Sequence, residues 1–287
     1  MRERILIVAC AMVAAGTGLS APPLAAQEPA GPQKGAKSPD IVRIPTQPAP
    51  STDQSPIPPD EIIRRFSANE DELARVFATY GYRKTVRLEE VGDDGKVSGQ
   101  AQISASTSAS DDRRPSGEPQ STLRYLDLER DNIEALSKIP VFPLVSSNLP
   151  KYNISYQGKQ PVDELSTYVF QVKPKQLDRA HAYFDGLVWV DDHDLTIVKS
   201  YGKWVTETGD FQPSKLPFAL FETYRQPVAD KYWLPAYSRS DGSYDNRGAS
   251  VPVRLIIRWD QYAPLPAAGP GRQNAPEPAS APLAAPQ

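Results

Sequence analysis

Three carboxylates and an imidazole stand side by side in the tetrad Asp191-Asp192-His193-Asp194. Both groups bind divalent cations, so the tetrad could hold a metal ion or take part in acid–base catalysis. Adjacent side chains of a strand point to opposite faces, however, and a calcium loop spaces its oxygens at alternate positions around a glycine. Apolar runs end at Val190 and resume at Leu195. The tetrad is therefore better explained as a turn between two strands.

The other reactive residue types form no catalytic pattern. His181 lies in the stretch DRAHAYF at the edge of a predicted strand, and the sequence has no Gly-x-Ser-x-Gly, HExxH, P-loop or dinucleotide-binding fingerprint. A carboxylate pair for glycoside hydrolysis depends on a separation through space, which one sequence leaves open. We predict no catalytic residue, no metal site and no cofactor.

Residues 1–26 have the three-part pattern of a cleaved secretory signal peptide. Arg2 and Arg4 form a basic head, Ile5 to Leu19 are apolar or small, and Ala25-Ala26 provide a small-residue exit. The apolar run is shorter than the roughly 18 to 20 residues of a spanning helix. The alternative to a cleaved signal peptide is an uncleaved N-terminal anchor. The pattern predicts export to the periplasm of a bacterial envelope and no stable membrane span.

Cys10 is the single cysteine of the chain. It could be the lipidated residue of a lipoprotein signal, but the apolar run continues past it, which disfavours that interpretation. Cleavage near Ala26 leaves no cysteine, which excludes disulfides, thiolate metal sites and cysteine nucleophiles from the mature chain. The formal net charge of −3 shows no basic excess, so nucleic-acid binding has little support.

Proline marks the limits of the folded part. Nine of the 30 prolines fall in residues 27–59 and seven in residues 264–287. Such composition favours extended, solvated chain, so we predict a disordered linker and a disordered tail there. Residues 60–263 remain as one domain with a sizeable core.

Two helices are predicted within this domain. Residues 58–81 begin with prolines and acidic residues and end at Gly81. Their apolar residues recur near a 3.6-residue period and form one broad face. This face comprises Ile62, Ile63, Phe66, Leu73, Val76, Phe77 and Tyr80. A shorter helix is predicted at 127–140, with Asp127 as N-cap and Pro140 closing it.

Strand patterns fill the rest of the domain. Residues 82–103 alternate on both sides of a GDDGK turn and predict a hairpin, whereas the polar residues 104–121 predict a mobile loop or a ragged edge. From Pro150 the pattern is mostly β, and the last strand, in 251–262, alternates most clearly. About eight or nine strands with short links predict an antiparallel meander, one face of which must be hidden.

Several stretches carry a family resemblance. The opening helix precedes the hairpin YRKTVRLEEVGDDGKVSGQAQ, and YFDGLVWVDDHDLTIVKSYGK and FETYRQPVADKYWLPAYSRS follow before a closing amphipathic strand. Together they resemble the LolA/LolB-like family, the periplasmic carriers and sorters of outer-membrane lipoproteins. The best parts are the strand–Asp–strand unit at 183–203 and the Tyr-Arg-x-Pro…Lys-Tyr-Trp-Leu-Pro unit at 224–235. The similarity covers most of residues 60–263.

The resemblance implies an α+β, mainly β fold. Its core is a strongly curved, unclosed antiparallel half-barrel, with a long N-terminal helix and a short second helix as a lid over an apolar concave face. In the family this hollow shelters the acyl chains of a lipoprotein, which lid opening releases. The family's carriers fasten the lid with an arginine after the second strand. Arg113 and Arg114 lie in a polar, proline-containing loop here, and neither is assigned that role.

An acyl groove would be lined by residues of the helix and of the apolar strand faces. The candidates are Phe66, Phe77, Trp189, Phe218, Leu220, Trp233, Val253, Leu255, Ile257 and Trp259. The alternative is that they form an ordinary core beneath the helices.

These patterns predict a non-catalytic periplasmic carrier for the acyl chains of a lipoprotein or lipid, with envelope proteins as further partners. One alternative is an envelope scaffold with a filled core, which binds proteins through its proline-rich tails or an edge strand. The other is a hydrolase of envelope glycans. A continuous apolar cavity favours the carrier, an exposed apolar edge the scaffold, and two facing carboxylates the hydrolase.

Overall fold

A computed structural model describes residues 55–92, 94–107, 116–127, 129–137, 139–211 and 216–266. The predicted signal peptide, Cys10, most of the linker, the two loop arginines and nearly all of the C-terminal tail lie outside these residues. The predictions made for them are therefore not tested.

Both predicted helices are present, with shorter bounds. Helix α1 is Pro59–Phe77 and helix α2 is Arg130–Ser137. Helix α1 begins with proline and two acidic residues, as predicted, but it ends before Gly81 because the first strand already starts at Tyr80. The prediction of Asp127 as N-cap is wrong, since α2 begins three residues later. Among the described residues, no helix is both long and apolar enough to cross a membrane.

A short 3-10 helix, Ser146–Lys151, leads into the second half of the sheet. The strands are β1 Tyr80–Val91, β2 Val97–Thr107, β3 Ser116–Ser121, β4 Tyr152–Val162, β5 Leu165–Pro174, β6 Tyr183–Asp191, β7 Ile197–Thr206, β8 Gly209–Asp210, β9 Leu220–Val228, β10 Tyr232–Asn246 and β11 Ala249–Pro264.

Of the two alternatives predicted for 104–121, a mobile loop or a ragged edge, the described residues at its two ends agree with the edge. Residues up to Thr107 continue β2, and Ser116–Ser121 form the edge strand β3. Hydroxyl pairs such as Thr85 and Ser104, 3.0 Å apart, join the strands on the polar face here. The polar sequence of these residues lacks the apolar alternation by which strands are recognised.

All strand pairs are antiparallel and form one sheet in the order β3-β2-β1-β11-β10-β9-β7-β6-β5-β4, with β8 beside β7. Two meanders, β1–β3 and β4–β11, are joined where β1 pairs with β11. Strands β3 and β4 lie at the two edges and do not pair with each other. The predicted unclosed antiparallel architecture is thus confirmed.

The sheet bends around α1. Six strand-to-strand steps separate β5 from β1. In a flat sheet these two strands would therefore lie about 29 Å apart. Phe66 and Phe77 are about 17 Å apart along the helix axis. Yet Phe66 packs on Phe170 of β5, with ring centroids 5.8 Å apart, and Phe77 stacks on Tyr82 of β1 at 4.9 Å. The face toward α1 is therefore concave, and we call it the inner face.

Candidate functional site

The inner face is apolar at both sides. On β1 and β11, Val86 lies opposite Ile257 and Leu88 opposite Leu255, and directly opposed residues share a face. On the other side, Phe170, Val188, Val190, Ile197 and Trp204 of β5 to β7 are buried. The two groups meet below the helices, where Ile139 packs against both.

The centre of the inner face carries small and hydroxylated residues instead. The inward positions of β7, β9 and β10 there include Ser200, Gly202, Thr223, Ser238, Ser240 and Gly242. The hydroxyls of Thr223 and Ser238 are 2.9 Å apart. Ser240 Oγ is buried without a hydrogen-bond partner among the described residues. Small side chains let the covering segments approach the sheet backbone closely.

One such segment is 216–218, which precedes β9. Leu216 and Phe218 are 3% and 1% exposed and pack into the cluster of β1 and β11. A Cβ atom at Gly242 would lie 2.0 Å from the carbonyl oxygen of Pro217. Glycine is therefore required at this point of β10, because any other residue would push the segment off the inner face.

Helix α1 covers the inner face with Ile62, Phe66 and Leu73, all buried. Glu70 lies on the same side of the helix, one turn after Phe66, and is also fully buried. A carboxylate within an apolar helix face is costly to bury unless it is paired.

Arg225 of β9 supplies the partner. Its side chain is 3% exposed; Nη1 donates to Glu70 Oε1, and Nη2 donates to Glu70 Oε2 at 3.0 Å. The remaining donors reach the carbonyl oxygens of Ile197 and Val141, each at 3.1 Å. The guanidinium carbon also lies 4.8 Å from the ring centroid of Phe142. One side chain thus joins α1, the start of β7 and the segment after α2.

The two residues on either side of Glu70 add hydrogen bonds between α1 and other segments. Asn69 Nδ2 donates to the carbonyl oxygens of Asp194 and Leu195, at 3.1 and 2.9 Å, in the turn between β6 and β7. Asp71 accepts the backbone N–H of Ser146 at 3.0 Å. The polar contacts of α1 with the rest of the domain therefore include three consecutive residues at its middle, Asn69, Glu70 and Asp71.

The chain before α2 is held by Glu90 at the end of β1. Its fully buried carboxylate accepts the backbone N–H groups of Arg124, Tyr125 and Leu126 at 2.7 to 3.1 Å. Leu126 then packs with Leu136 of α2 against the inner face. Glu90 therefore positions the second covering helix.

The acidic tetrad forms the predicted turn. Residues 192–194 are a turn, and Asp191 Oδ2 accepts the backbone N–H groups of His193 and Asp194 at 3.3 and 2.8 Å. Ligand atoms of Asp191, His193 and Asp194 lie within 4.8 Å of one another, a closeness that the turn explains. The hydrogen bond to Asp194 raises the pKa of His193.

A second polar cluster surrounds Asp178 before β6. Its carboxylate accepts the N–H groups of Ala180 and His181 at 2.8 and 2.7 Å and the hydroxyl proton of Tyr183. The Tyr183 hydrogen bond is the largest cause that lowers the pKa of Asp178 to about 2. His181 lies before β6, where its ring contacts this carboxylate at 3.0 Å. The cluster closes a turn.

The structure divides the ten predicted groove residues between two faces. Seven lie in the clusters of the inner face: Phe66, Phe77, Phe218, Val253, Leu255, Ile257 and Trp259. Three belong to a separate cluster on the opposite, outer face, built around Val169, Leu187, Val198 and Tyr201: Trp189, Leu220 and Trp233.

Sequence reasoning missed Glu70 and Arg225. Both carried a signal, because Glu70 falls on the apolar face of α1 and Arg225 belongs to the Tyr-Arg-x-Pro unit. No pattern in the sequence indicates that these two residues, 155 positions apart, form a pair.

Two surface depressions stand out among the described residues. One, of about 340 Å³, lies at the ends of β1 and β11 between Gly81 and Pro266, and the other, of about 290 Å³, lies at the turn after β4. None of the ten predicted groove residues lines either one. In this form, α1 and the segment 216–218 pack directly on the inner face.

No protein-family model matches the sequence, and no curated protein matches it. Solved structures do match. A DUF1329 family protein from Desulfovibrio piger is 12% identical, with a TM-score of 0.34, over 71% of this chain and 95% of that one. A LolA superfamily protein from Nitrosomonas europaea is 10% identical, with a TM-score of 0.33, over the same shares.

An outer membrane lipoprotein-sorting protein domain from Vibrio parahaemolyticus is 12% identical, with a TM-score of 0.34, over 73% of this chain and 93% of that one. LolA-like proteins are thus among the structures to which this chain is similar, as the sequence resemblance predicts. Identity at this level concerns the fold alone, so function has to be argued from the chain's own geometry.

Proposed function

We propose that this protein is a non-catalytic periplasmic carrier that shelters the acyl chains of a lipoprotein or lipid on its inner face. The observation that carries the proposal is the concave apolar face beneath a helix that one buried ion pair fastens. The apolar sides of this concave face suit an acyl ligand. A role in outer-membrane lipoprotein sorting, with envelope proteins receiving the cargo, is consistent with this proposal.

The covering elements must move before a ligand can enter. An acyl chain would take the place of Phe66, Leu73 and Phe218 against the sheet, and the Glu70–Arg225 pair would separate. Burying a 16-carbon chain contributes about 12 kcal/mol at roughly 0.8 kcal/mol per CH₂. This gain would offset the loss of the displaced apolar contacts, so opening would need no chemical step.

The four tryptophans allow a direct test, because two lie on each face. Trp204 and Trp259 belong to the inner face, whereas Trp189 and Trp233 belong to the outer face. Four variants each keep one tryptophan and carry phenylalanine at the other three positions. A lysophosphatidylcholine with a brominated acyl chain quenches tryptophan fluorescence on contact. The carrier proposal expects saturable quenching of Trp204 or Trp259 and none of the outer pair.

A second candidate function follows from the packing of the inner face in this form. The two depressions lie elsewhere, and the edge strands β3 and β4 offer backbone groups to another chain. Such edges suit a scaffold that pairs with an envelope protein. Quenching of none of the four tryptophans, at probe concentrations that label a fatty-acid-binding control protein, would favour the scaffold over the carrier.

A further inference from the structure

A row of hydroxyl groups crosses the centre of the inner face. Ser200 of β7 lies opposite Thr223 of β9, and Thr223 lies opposite Ser238 of β10. Directly opposed residues share a face and lie close together, so three hydroxyl side chains stand in line on three neighbouring strands. We call Ser200, Thr223 and Ser238 the hydroxyl row. Buried apolar clusters lie on both sides of it.

Ser240 adds a fourth hydroxyl group beside this row. It follows Ser238 by two positions on β10, which is about 7 Å along the same face. Ser240 is 1% exposed, and its Oγ atom has no hydrogen-bond partner in the described part of the chain. A buried hydroxyl group without a partner costs free energy. Alanine would fill nearly the same space without that cost, so packing alone does not require this hydroxyl group.

The hydroxyl row can donate hydrogen bonds as well as accept them. The oxygens of Thr223 and Ser238 are 2.9 Å apart. One proton joins such a pair, and each hydroxyl group carries one, so the second proton remains for another acceptor. The proton of Ser240 adds to it. The inner face therefore presents donors at its centre, between two apolar sides.

The covering segment 216–218 closes this part of the inner face. The carbonyl oxygen of Pro217 would lie 2.0 Å from a Cβ atom at Gly242, which follows Ser240 by two positions on the same face. A ligand that displaces this segment therefore gains access to the Ser240 hydroxyl group and to the open space at Gly242 together.

An acyl ester has the chemical pattern that fits this surface. Its carbonyl oxygen accepts hydrogen bonds, and its long chain is apolar. Leu255 of β11 lies opposite Ser240, and Trp259 follows four positions later on the same strand, about 14 Å away. A chain whose carbonyl group lies at Ser240 would therefore extend over the apolar residues of β11.

We propose that Ser240, together with the hydroxyl row, binds the ester carbonyl group that links an acyl chain to the rest of the cargo. The preferred cargo is accordingly an ester-linked acyl lipid and not its ether-linked counterpart. This inference rests on the proposed carrier function and adds the site that recognises the linkage.

The test compares two uncharged probes that share one brominated chain, a 1-monoacylglycerol and a 1-O-alkylglycerol. The first has a carbonyl group where the second has a CH₂ group. Each is titrated into the variants that keep Trp259 or Trp204 alone, and the quenching gives its affinity. A purely apolar site favours the ether, because the ester carbonyl is more costly to desolvate. We expect the ester to bind roughly five- to tenfold more tightly, as one hydrogen bond allows.

Substitutions then assign the preference to the serine. In the same background, Ser240→Ala should abolish the preference for the ester. It should leave the free energy of unfolding unchanged or raise it, because it removes an unpaired buried hydroxyl group. The matched control is Ser104→Ala, which removes a hydroxyl group 3.0 Å from that of Thr85 on the polar face. This control should keep the preference, and urea denaturation shows the stability of each variant.

The outcomes separate this inference from the carrier proposal. Binding of the ether at least as tightly as the ester in the parent overturns the role of Ser240 and leaves the carrier standing. An unchanged preference in Ser240→Ala, or an equal loss of affinity for both probes, has the same meaning. Absence of saturable quenching by both probes overturns the carrier proposal and this inference with it.

Discussion

Arg225 and Glu70 form a bidentate ion pair at a place that solvent scarcely reaches, with side chains 3% and 0% exposed. The pair joins α1 to β9 at the centre of the inner face. The same guanidinium donates to the carbonyl oxygens of Val141 and Ile197. One guanidinium therefore connects helix α1, the sheet and the segment after α2 at this point.

The first prediction concerns the stability of this pair. Arg225→Met alone should lower the free energy of unfolding by about 3–5 kcal/mol, because Glu70 is left buried and unpaired. The double variant Glu70→Met/Arg225→Met should recover most of that loss, since two apolar side chains can pack together. Urea denaturation measures both values.

The exposed pair of Glu61 and Arg64 on the same helix serves as the control. Arg64→Ala should leave the free energy of unfolding almost unchanged, because solvent screens an exposed ion pair. If the double variant were as unstable as Arg225→Met, the cost would come from the lost contacts to Val141 and Ile197 and not from an unpaired carboxylate.

The second prediction concerns the rate of opening. If α1 must leave the inner face before a ligand enters, Arg225→Met should accelerate the quenching of Trp259 by the brominated lysophosphatidylcholine. A loss of about 3 kcal/mol from the closed form allows a rate increase of up to roughly a hundredfold. Stopped-flow fluorescence measures the rate, with Arg64→Ala as the unaffected control. An unchanged rate in Arg225→Met would show that the ion pair does not limit entry.

The third prediction tests the contact between β10 and the segment 216–218. Gly242→Ala should lower the free energy of unfolding by about 1–3 kcal/mol, since its Cβ would meet the rigid carbonyl of Pro217. Gly92→Ala is the matched change, because its Cβ would meet the movable Asp94 side chain at 3.2 Å. Equal losses in the two variants would contradict the close approach.

The fourth prediction concerns the acid side of the stability curve. The Tyr183 hydroxyl is the main cause that holds the pKa of Asp178 at about 2, below its ordinary value of 3.8. A lowered folded-state pKa means that ionised Asp178 stabilises the fold above pH 3.8 and that this contribution is lost as the pH falls through about 2.

Tyr183→Phe should therefore raise the pKa of Asp178 toward 3.8, so that the contribution of this carboxylate to stability becomes smaller and its loss is complete at a higher pH. Carbon-13 NMR titration of the Asp178 carboxyl group measures the shift. The backbone donors of Ala180 and His181 remain in the variant. The pKa of Asp178 should therefore rise only part of the way to its ordinary value. A pKa that stays near 2 would assign the effect to those donors.

Some features of this protein follow from the local sequence. The apolar period of α1, the alternation of β11 and the turn at the acidic tetrad are all present where the sequence predicts them. Each depends on neighbours within a few residues, which the period of a helix or strand makes visible. The antiparallel order of the sheet follows in the same way, from short links between successive strands, whereas its unclosed form is what the family resemblance implies.

The tertiary structure decided which apolar residues share the inner face. Trp189 and Trp259 each stand two positions after an apolar residue of their strand, Leu187 and Ile257, yet the first lies on the outer face and the second on the inner face. Strand alternation shows which residues point the same way, but not which side the helix will cover. The partnership of Glu70 with Arg225 likewise depends on how α1 crosses the sheet. That crossing is set by packing between elements distant in the chain, which no local pattern records.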